Sequence, residues 1–107
     1  MISGISSDLF SIGESAMNVS QARMVASADN VANVDTPDYQ RKNVLVEERA
    51  QGGVKVSSIE REDEPVDLAR EMVNMTRAKR TYEIAAKVIG FADETLQTVL
   101  EMGDNDD

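Results

Sequence analysis

Cysteine, histidine and tryptophan are all missing from this chain of 107 residues, and each absence closes off a class of function. Without cysteine there is no disulfide framework and no thiolate metal site. With neither histidine nor cysteine, no nucleophile–base pair of the serine–histidine kind can be assembled. Two phenylalanines and two tyrosines are the only aromatics, and the apolar content is mostly alanine, valine and methionine. A large globular core is therefore not expected. No uninterrupted apolar run approaches ~18–20 residues, so no transmembrane helix is expected. The first residues lack a basic region followed by an apolar stretch, so no cleaved secretory signal is expected either. Positive charge is scarce as well, with 11 Lys and Arg against 20 Asp and Glu. The net charge of −9 spreads as −2, −3 and −4 over residues 1–33, 34–64 and 65–107. Phosphate neutralisation needs a concentrated basic surface, which argues against a nucleic-acid partner and against anionic lipid.

What the chain does have is period. Between Pro65 and Met102 every seventh residue is large and apolar: Leu68, Met75, Tyr82, Ile89 and Leu96. A second row, Glu71, Ala78, Ala85, Ala92 and Val99, is mostly small. That alternation predicts a helix over 65–102 whose seam lets a partner backbone come close. At 1.5 Å per residue the helix is about 55–60 Å long, too long for so short a chain to cover. Pro65 suits the first helical position and Asp67 complements the dipole. Pairs such as Glu83–Lys87 and Arg80–Glu83 support the exposed side. Ala85 and Gly90 are the weak points of the seam. Gly103 ends the helix, and residues 103–107 read as an acidic tail.

The same seven-residue period runs through Phe10, Met17, Met24 and Val31, with Ala16, Ser20, Ser27 and Ala28 beside it. It predicts a helix over 8–33, started by a Ser11/Glu14 capping box or by Ser7 or Asp8, with Met1–Ser7 outside it. Asn33-Val34-Asp35-Thr36-Pro37 stops it. Residues 34–64 then hold a turn and a β-rich insert. Val44–Val46 and Val54–Ile59 flank Gln51-Gly52-Gly53 as a hairpin, and Glu60–Glu64 reads as a solvated connector. The fold class expected is mainly α: one rod-type domain over 1–107, with two long terminal helices pairing as an antiparallel coiled coil around a small β-hairpin insert. A lone hairpin is marginal in water, so it must lean on the helices or on another subunit.

Two stretches resemble a known family. Residues 14–44 carry Met17, Arg23, Met24, Ala28, Asn30, Val31, Ala32 and Asn33, then Thr36, Pro37 and Tyr39. The second stretch runs from Val66-Asp67-Leu68-Ala69-Arg70-Glu71-Met72 through Arg80-Thr81-Tyr82-Glu83 to Lys87-Val88-Ile89. In this order they resemble the first and last helices of bacterial flagellar rod and hook proteins, nearest the proximal-rod members. The resemblance implies a structural subunit of the flagellar basal-body rod, whose paired helices line a helical tube. It also implies partners: copies of itself, other rod subunits, and the flagellar type III export apparatus. The implied location is the periplasmic rod, reached without a cleaved signal peptide. Asp35 and Asp38 stand where the family usually has Asn and Gly, Ala85 replaces a common Asn, and the middle segment is shorter than in typical proximal-rod members.

Against that stands the chemistry the residues allow. Glu47-Glu48 and Glu60–Glu64 lack the apolar surroundings that raise a carboxyl pKa, so they read as solvated surface rather than paired catalytic carboxylates. Asp104–Asp107 lacks the glycine and closing glutamate of a calcium loop. No enzyme activity, cofactor or metal is expected. Arg77-Ala78-Lys79-Arg80 is the one basic cluster, read either as a solvated helix face or as a salt-bridging surface for acidic neighbours. The residues expected to pack within and between subunits are Met17, Met24, Val31, Leu68, Met75, Tyr82, Ile89 and Leu96. Asn30, Asn33, Thr36, Pro37 and Tyr39 form the motif turn; within it Asn30, Asn33 and Asp35 read either as helix-end hydrogen bonders or as positioning the β arm against a neighbouring subunit. The rival reading is a soluble coiled-coil adaptor or secretion-associated binding protein using the same seam.

Overall fold

The computed structural model describes residues 2–104. Its elements are helix α1 (Ile2–Ala32), strands β1 (Arg41–Glu48) and β2 (Val54–Glu62), and helix α2 (Leu68–Asp104). The molecule is thus mainly α, with one antiparallel hairpin between two helices. It measures 70 × 24 × 13 Å, with a radius of gyration of 18.5 Å, against about 13 Å for a compact chain of this length. It is a thin slab.

Helix α1 begins at Ile2 rather than near Asp8. No proline interrupts the opening residues, so the helix continues through them and Ser11 has no free helix end to cap. Its Oγ instead accepts a hydrogen bond from Arg49 Nη2 at 3.0 Å. At the other end, the Asn33 amide is shared between the carbonyls of Asp29 (3.1 Å) and Asn30 (3.3 Å), the tightening usual in a last turn.

Helix α2 also starts differently from the pattern. Pro65 lies outside it and Asp67 is the cap: Oδ1 accepts from the amides of Ala69 (3.0 Å) and Arg70 (3.3 Å). That arrangement satisfies donors that a helix start leaves orphaned. Gly103 does not end α2, which reaches Asp104; Asn105–Asp107 of the acidic tail lie outside the described residues. Gly90 is exposed and off the buried row. The exposed side carries Lys79–Glu83 at 4.0 Å as its ion pair, in place of the expected Glu83–Lys87 and Arg80–Glu83 pairs.

The hairpin pairs Arg41 with Glu62 through Glu48 with Val54, with one extra residue, Ser57, at a bulge opposite Leu45/Val46. Gly52 (φ 96°) and Gly53 (φ 83°) supply the left-handed turn, which side chains resist. β2 extends into the stretch that reads as a connector: Glu60–Glu62 are strand residues. The hairpin lies along α1, with Lys42 beside Asn30 and the turn beside Ser11 and Ser15. The helices run antiparallel, since Gly13 meets Ala85 and Ile89 while Ala26 and Ser27, later in α1, line a cleft with Asn74 and Ala78, earlier in α2.

Almost nothing large is buried. The buried apolar side chains among the described residues are Val19, Ala26, Ala78, Ala85 and Ala92; the buried polar ones are Ser15, Ser20, Ser27, Asn30, Arg41 and Glu71.

Candidate assembly interface

The seam between the helices is built from small residues. Ala78, Ala85 and Ala92 of α2 are buried one heptad apart, against an α1 face whose buried residues include Gly13, Ser20 and Ser27, also one heptad apart. A Cβ placed on Gly13 would sit 2.7 Å from Ile89 Cγ1 and 3.3 Å from the Ala85 carbonyl oxygen, so the backbones approach as closely as glycine permits. Met17, Met24, Val31, Met75, Tyr82, Ile89 and Leu96 flank this row and stay half-buried, while Leu68, at the start of α2, is exposed. The small row closes the pair; the large row borders it. Phe10, Ile12, Val25, Met72, Ile84, Phe91 and Leu100 are exposed as well. On a chain with so few bulky residues, this leaves more large apolar surface outside than inside.

The turn residues serve to fasten the hairpin. Asn30 is wholly buried. Its Nδ2 donates to the Lys42 carbonyl (3.0 Å), and its Oδ1 accepts from the Lys42 amide (2.7 Å) and from Tyr39 Oη (2.9 Å). The carboxamide thus pairs with β1 as a neighbouring strand would, a role that needs donor and acceptor in one planar fork. Asn33 Nδ2 donates to the Asp29 carbonyl (2.9 Å), and Thr36 Oγ1 donates to Asn33 Oδ1 (3.1 Å). Pro37 is exposed. Asp38 adopts φ 60°, so the left-handed turn persists although the residue is not glycine; Asp and Asn tolerate that region better than other side chains.

Sequence reasoning missed an ion cluster. Arg41, buried at the start of β1, donates through Nε (3.1 Å) and Nη2 (3.0 Å) to Glu71 Oε1, and through Nη1 to Glu62 Oε2 at 2.6 Å. Burial opposes the guanidinium charge, but the hydrogen bonds to Glu62 and Glu71 outweigh it and hold its pKa above the ordinary arginine value. Glu71 is fully buried, and its Oε2 has no hydrogen-bond partner among the described residues. The signal was present, since Glu71 is the one charge in a heptad row of alanines. Only the hairpin, folded back 30 residues earlier in the chain, supplies its partner.

The remaining candidates separate. Arg49 ties the hairpin turn to α1 through the Ser11 carbonyl (3.1 Å) and its own turn through the Gly52 carbonyl (2.9 Å). Glu47 pairs with Lys55 at 3.1 Å and Glu64 with Arg70 at 3.3 Å, all exposed. Of the Arg77–Arg80 run, Ala78 is buried in the seam and the three cations are exposed. No group of three or more acidic residues among the described residues is placed to hold a metal ion, and none of the helices is long and apolar enough to cross a membrane.

Two family models match this chain. Residues 10–40 match the model for flagella basal body rod proteins, and residues 62–102 match the C-terminal model of flagellar basal body rod FlgEFG proteins. The flagellar basal-body rod protein FlgC of Yersinia enterocolitica is 28% identical over 129 residues, covering 90% of this chain and 96% of that relative. The chain belongs to the flagellar basal-body rod family. The aligned stretch is longer than this chain, so the Yersinia relative carries residues with no counterpart here. The matched segments take in the small-residue seam, the Asn30 latch and Glu71; the strands between Arg41 and Arg61 lie outside both models.

Proposed function

We propose that this chain is a structural, non-catalytic subunit of the bacterial flagellar rod. It builds into the rod by packing its helix pair, as coiled-coil surface, against copies of itself and other rod subunits. One observation carries the reading: a 70 Å slab closed by alanine, serine and glycine leaves Met72, Ile84, Phe91 and Leu100 exposed. Each large side chain moved from water to an apolar contact contributes roughly 1.5–3 kcal/mol, so a few such contacts per neighbour favour assembly. Met17, Met24, Val31, Met75, Tyr82, Ile89, Leu96 and Leu68 border this surface, and neighbours finish covering them. The Asn30 latch and the Arg41–Glu71–Glu62 cluster hold the hairpin at a set angle to α1, which spaces adjacent subunits. The rod lies in the periplasm, and the flagellar type III export apparatus delivers the chain there.

The test separates folding from assembly. Ile84→Ser/Phe91→Ser changes exposed positions only, so helix content by circular dichroism stays at the wild-type level. Incorporation into purified basal bodies and swimming are lost. Normal swimming with this variant, or intact flagella after deletion of the gene, refutes the reading.

A further inference from the structure

On a chain of net charge −9, four basic side chains gather around one cleft. A cleft of about 320 Å³ between α1, β1 and α2 is lined by Arg23, Arg41, Lys42, Asn43, Asn74 and Arg77, among others. Arg41 is committed to Glu62 and Glu71, and Lys42 to Asp29 at 2.7 Å. Arg23 and Arg77, exposed and contributed by different helices, have no ion-pair partner among the described residues. Of the basic run on α2, it is thus Arg77 that joins a cleft, and its companion comes from 54 residues earlier in the chain.

The complementary charge sits on the same molecule but out of reach. Residues 88–107 hold six carboxylates (Asp93, Glu94, Glu101, Asp104, Asp106 and Asp107) and no lysine or arginine. Helix α2 is continuous from Leu68 to Asp104, so Asp104 lies about 39 Å along the axis from Ala78. The three residues after Asp104 span at most about 10 Å. The acidic end therefore cannot fold back into its own cleft. Left unpaired, acidic ends brought together by assembly would repel one another.

We infer that the Arg23–Arg77 cleft receives the acidic end of α2 (Glu101–Asp107) from a second copy of this chain. Two arginine forks facing carboxylates give orientation as well as attraction, so the contact sets the stagger between neighbouring copies. This inference rests on the rod-subunit reading above and adds the partner segment to it.

Because the chain has no cysteine, cross-linking tests it cleanly. Full-length Arg77→Cys and Asp106→Cys chains are mixed in equal amounts and oxidised, and the expected product is the mixed disulfide dimer well beyond the twofold excess over either homodimer that random pairing gives. No mixed dimer, or a statistical mixture, overturns the inference. In sedimentation, Arg23→Glu/Arg77→Glu should weaken self-association about tenfold and regain it when mixed with Asp104→Lys/Asp106→Lys/Asp107→Lys. The Lys55→Glu/Lys87→Glu control carries the same charge change elsewhere; equal weakening by it, or no rescue, counts against the cleft. Basal-body incorporation is scored in parallel. Chains that enter the rod without the mixed disulfide refute the cleft contact and leave the rod reading standing. Chains that cross-link but never enter the rod refute the rod reading instead.

Discussion

Replacing Asn30 by alanine removes the carboxamide that stands in for a third strand beside β1. Three hydrogen bonds disappear: 3.0 Å to the Lys42 carbonyl, 2.7 Å from the Lys42 amide and 2.9 Å from Tyr39 Oη. Each is worth about 0.5–1.5 kcal/mol net, and a buried group left unpaired costs about 1–3 kcal/mol. Lys42 is half-buried, so water recovers part of that penalty and the expected loss for Asn30→Ala is about 3 kcal/mol. Asn30→Asp is the sharper probe. It keeps the acceptor that Tyr39 and the Lys42 amide use, but exchanges the donor for a charged oxygen against the Lys42 carbonyl. That carboxyl is protonated more readily in the folded than in the unfolded chain, so its folded pKa is raised. The deficit is therefore full above the folded pKa and shrinks as pH falls through it, because the protonated form again donates. Urea unfolding followed at 222 nm measures both variants against wild type at pH 7 and pH 4, the wild type supplying the background from the other carboxyls. With a slope of about 1–3 kcal/mol per molar urea, a 3 kcal/mol loss moves the midpoint by about 1–3 M. A loss below about 1 kcal/mol for Asn30→Ala, or an Asn30→Asp deficit equal at both pH values, refutes the strand-like role.

Two glycines should respond in opposite directions. Gly13→Ala gains about 1 kcal/mol of helix propensity but meets Ile89 at 2.7 Å and the Ala85 backbone at 3.3 Å, an overpacking of about 1–3 kcal/mol; its melting temperature should fall. Gly90→Ala, with nothing within 4 Å, should raise it by a few degrees, and a rise for both would mean that the helices do not touch at Gly13. Glu71→Ala strips Arg41 of two hydrogen bonds inside the slab and should cost about 3 kcal/mol, whereas Arg41→Met/Glu71→Leu should cost less than the sum of its singles. A coupling below about 0.5 kcal/mol in that denaturation cycle counts against a buried pair. Asp38→Gly relieves a left-handed side chain (φ 60°) and should stabilise by about 0.5–1 kcal/mol; Asp38→Val should lose at least as much, and the reverse order contradicts the turn.

Much of this molecule was legible because its elements are long and periodic. The heptad rows of Met17–Val31 and Leu68–Leu96 marked both helices, and the Gly52-Gly53 pair marked the hairpin between them. Helix starts were misplaced because a start depends on which donors find acceptors. Asp67 takes two amides that no periodicity reports, and Ser11 is left to hold Arg49. Which row of the seam would be buried was equally hidden. Heptad spacing offers large and small rows on equal terms, and the close approach at Gly13 decided for the alanines.

From its sequence alone, this chain was bound to form long helices with too few bulky residues to enclose, and to carry no thiol or imidazole chemistry. Those properties follow from composition and period, which are local. That Asn30 acts as a strand, that Glu71 is neutralised by Arg41, and that Arg23 and Arg77 line one cleft were decided only by tertiary structure. Each joins residues 12 to 54 positions apart, and only the folding-back of hairpin and helix brings such partners within reach.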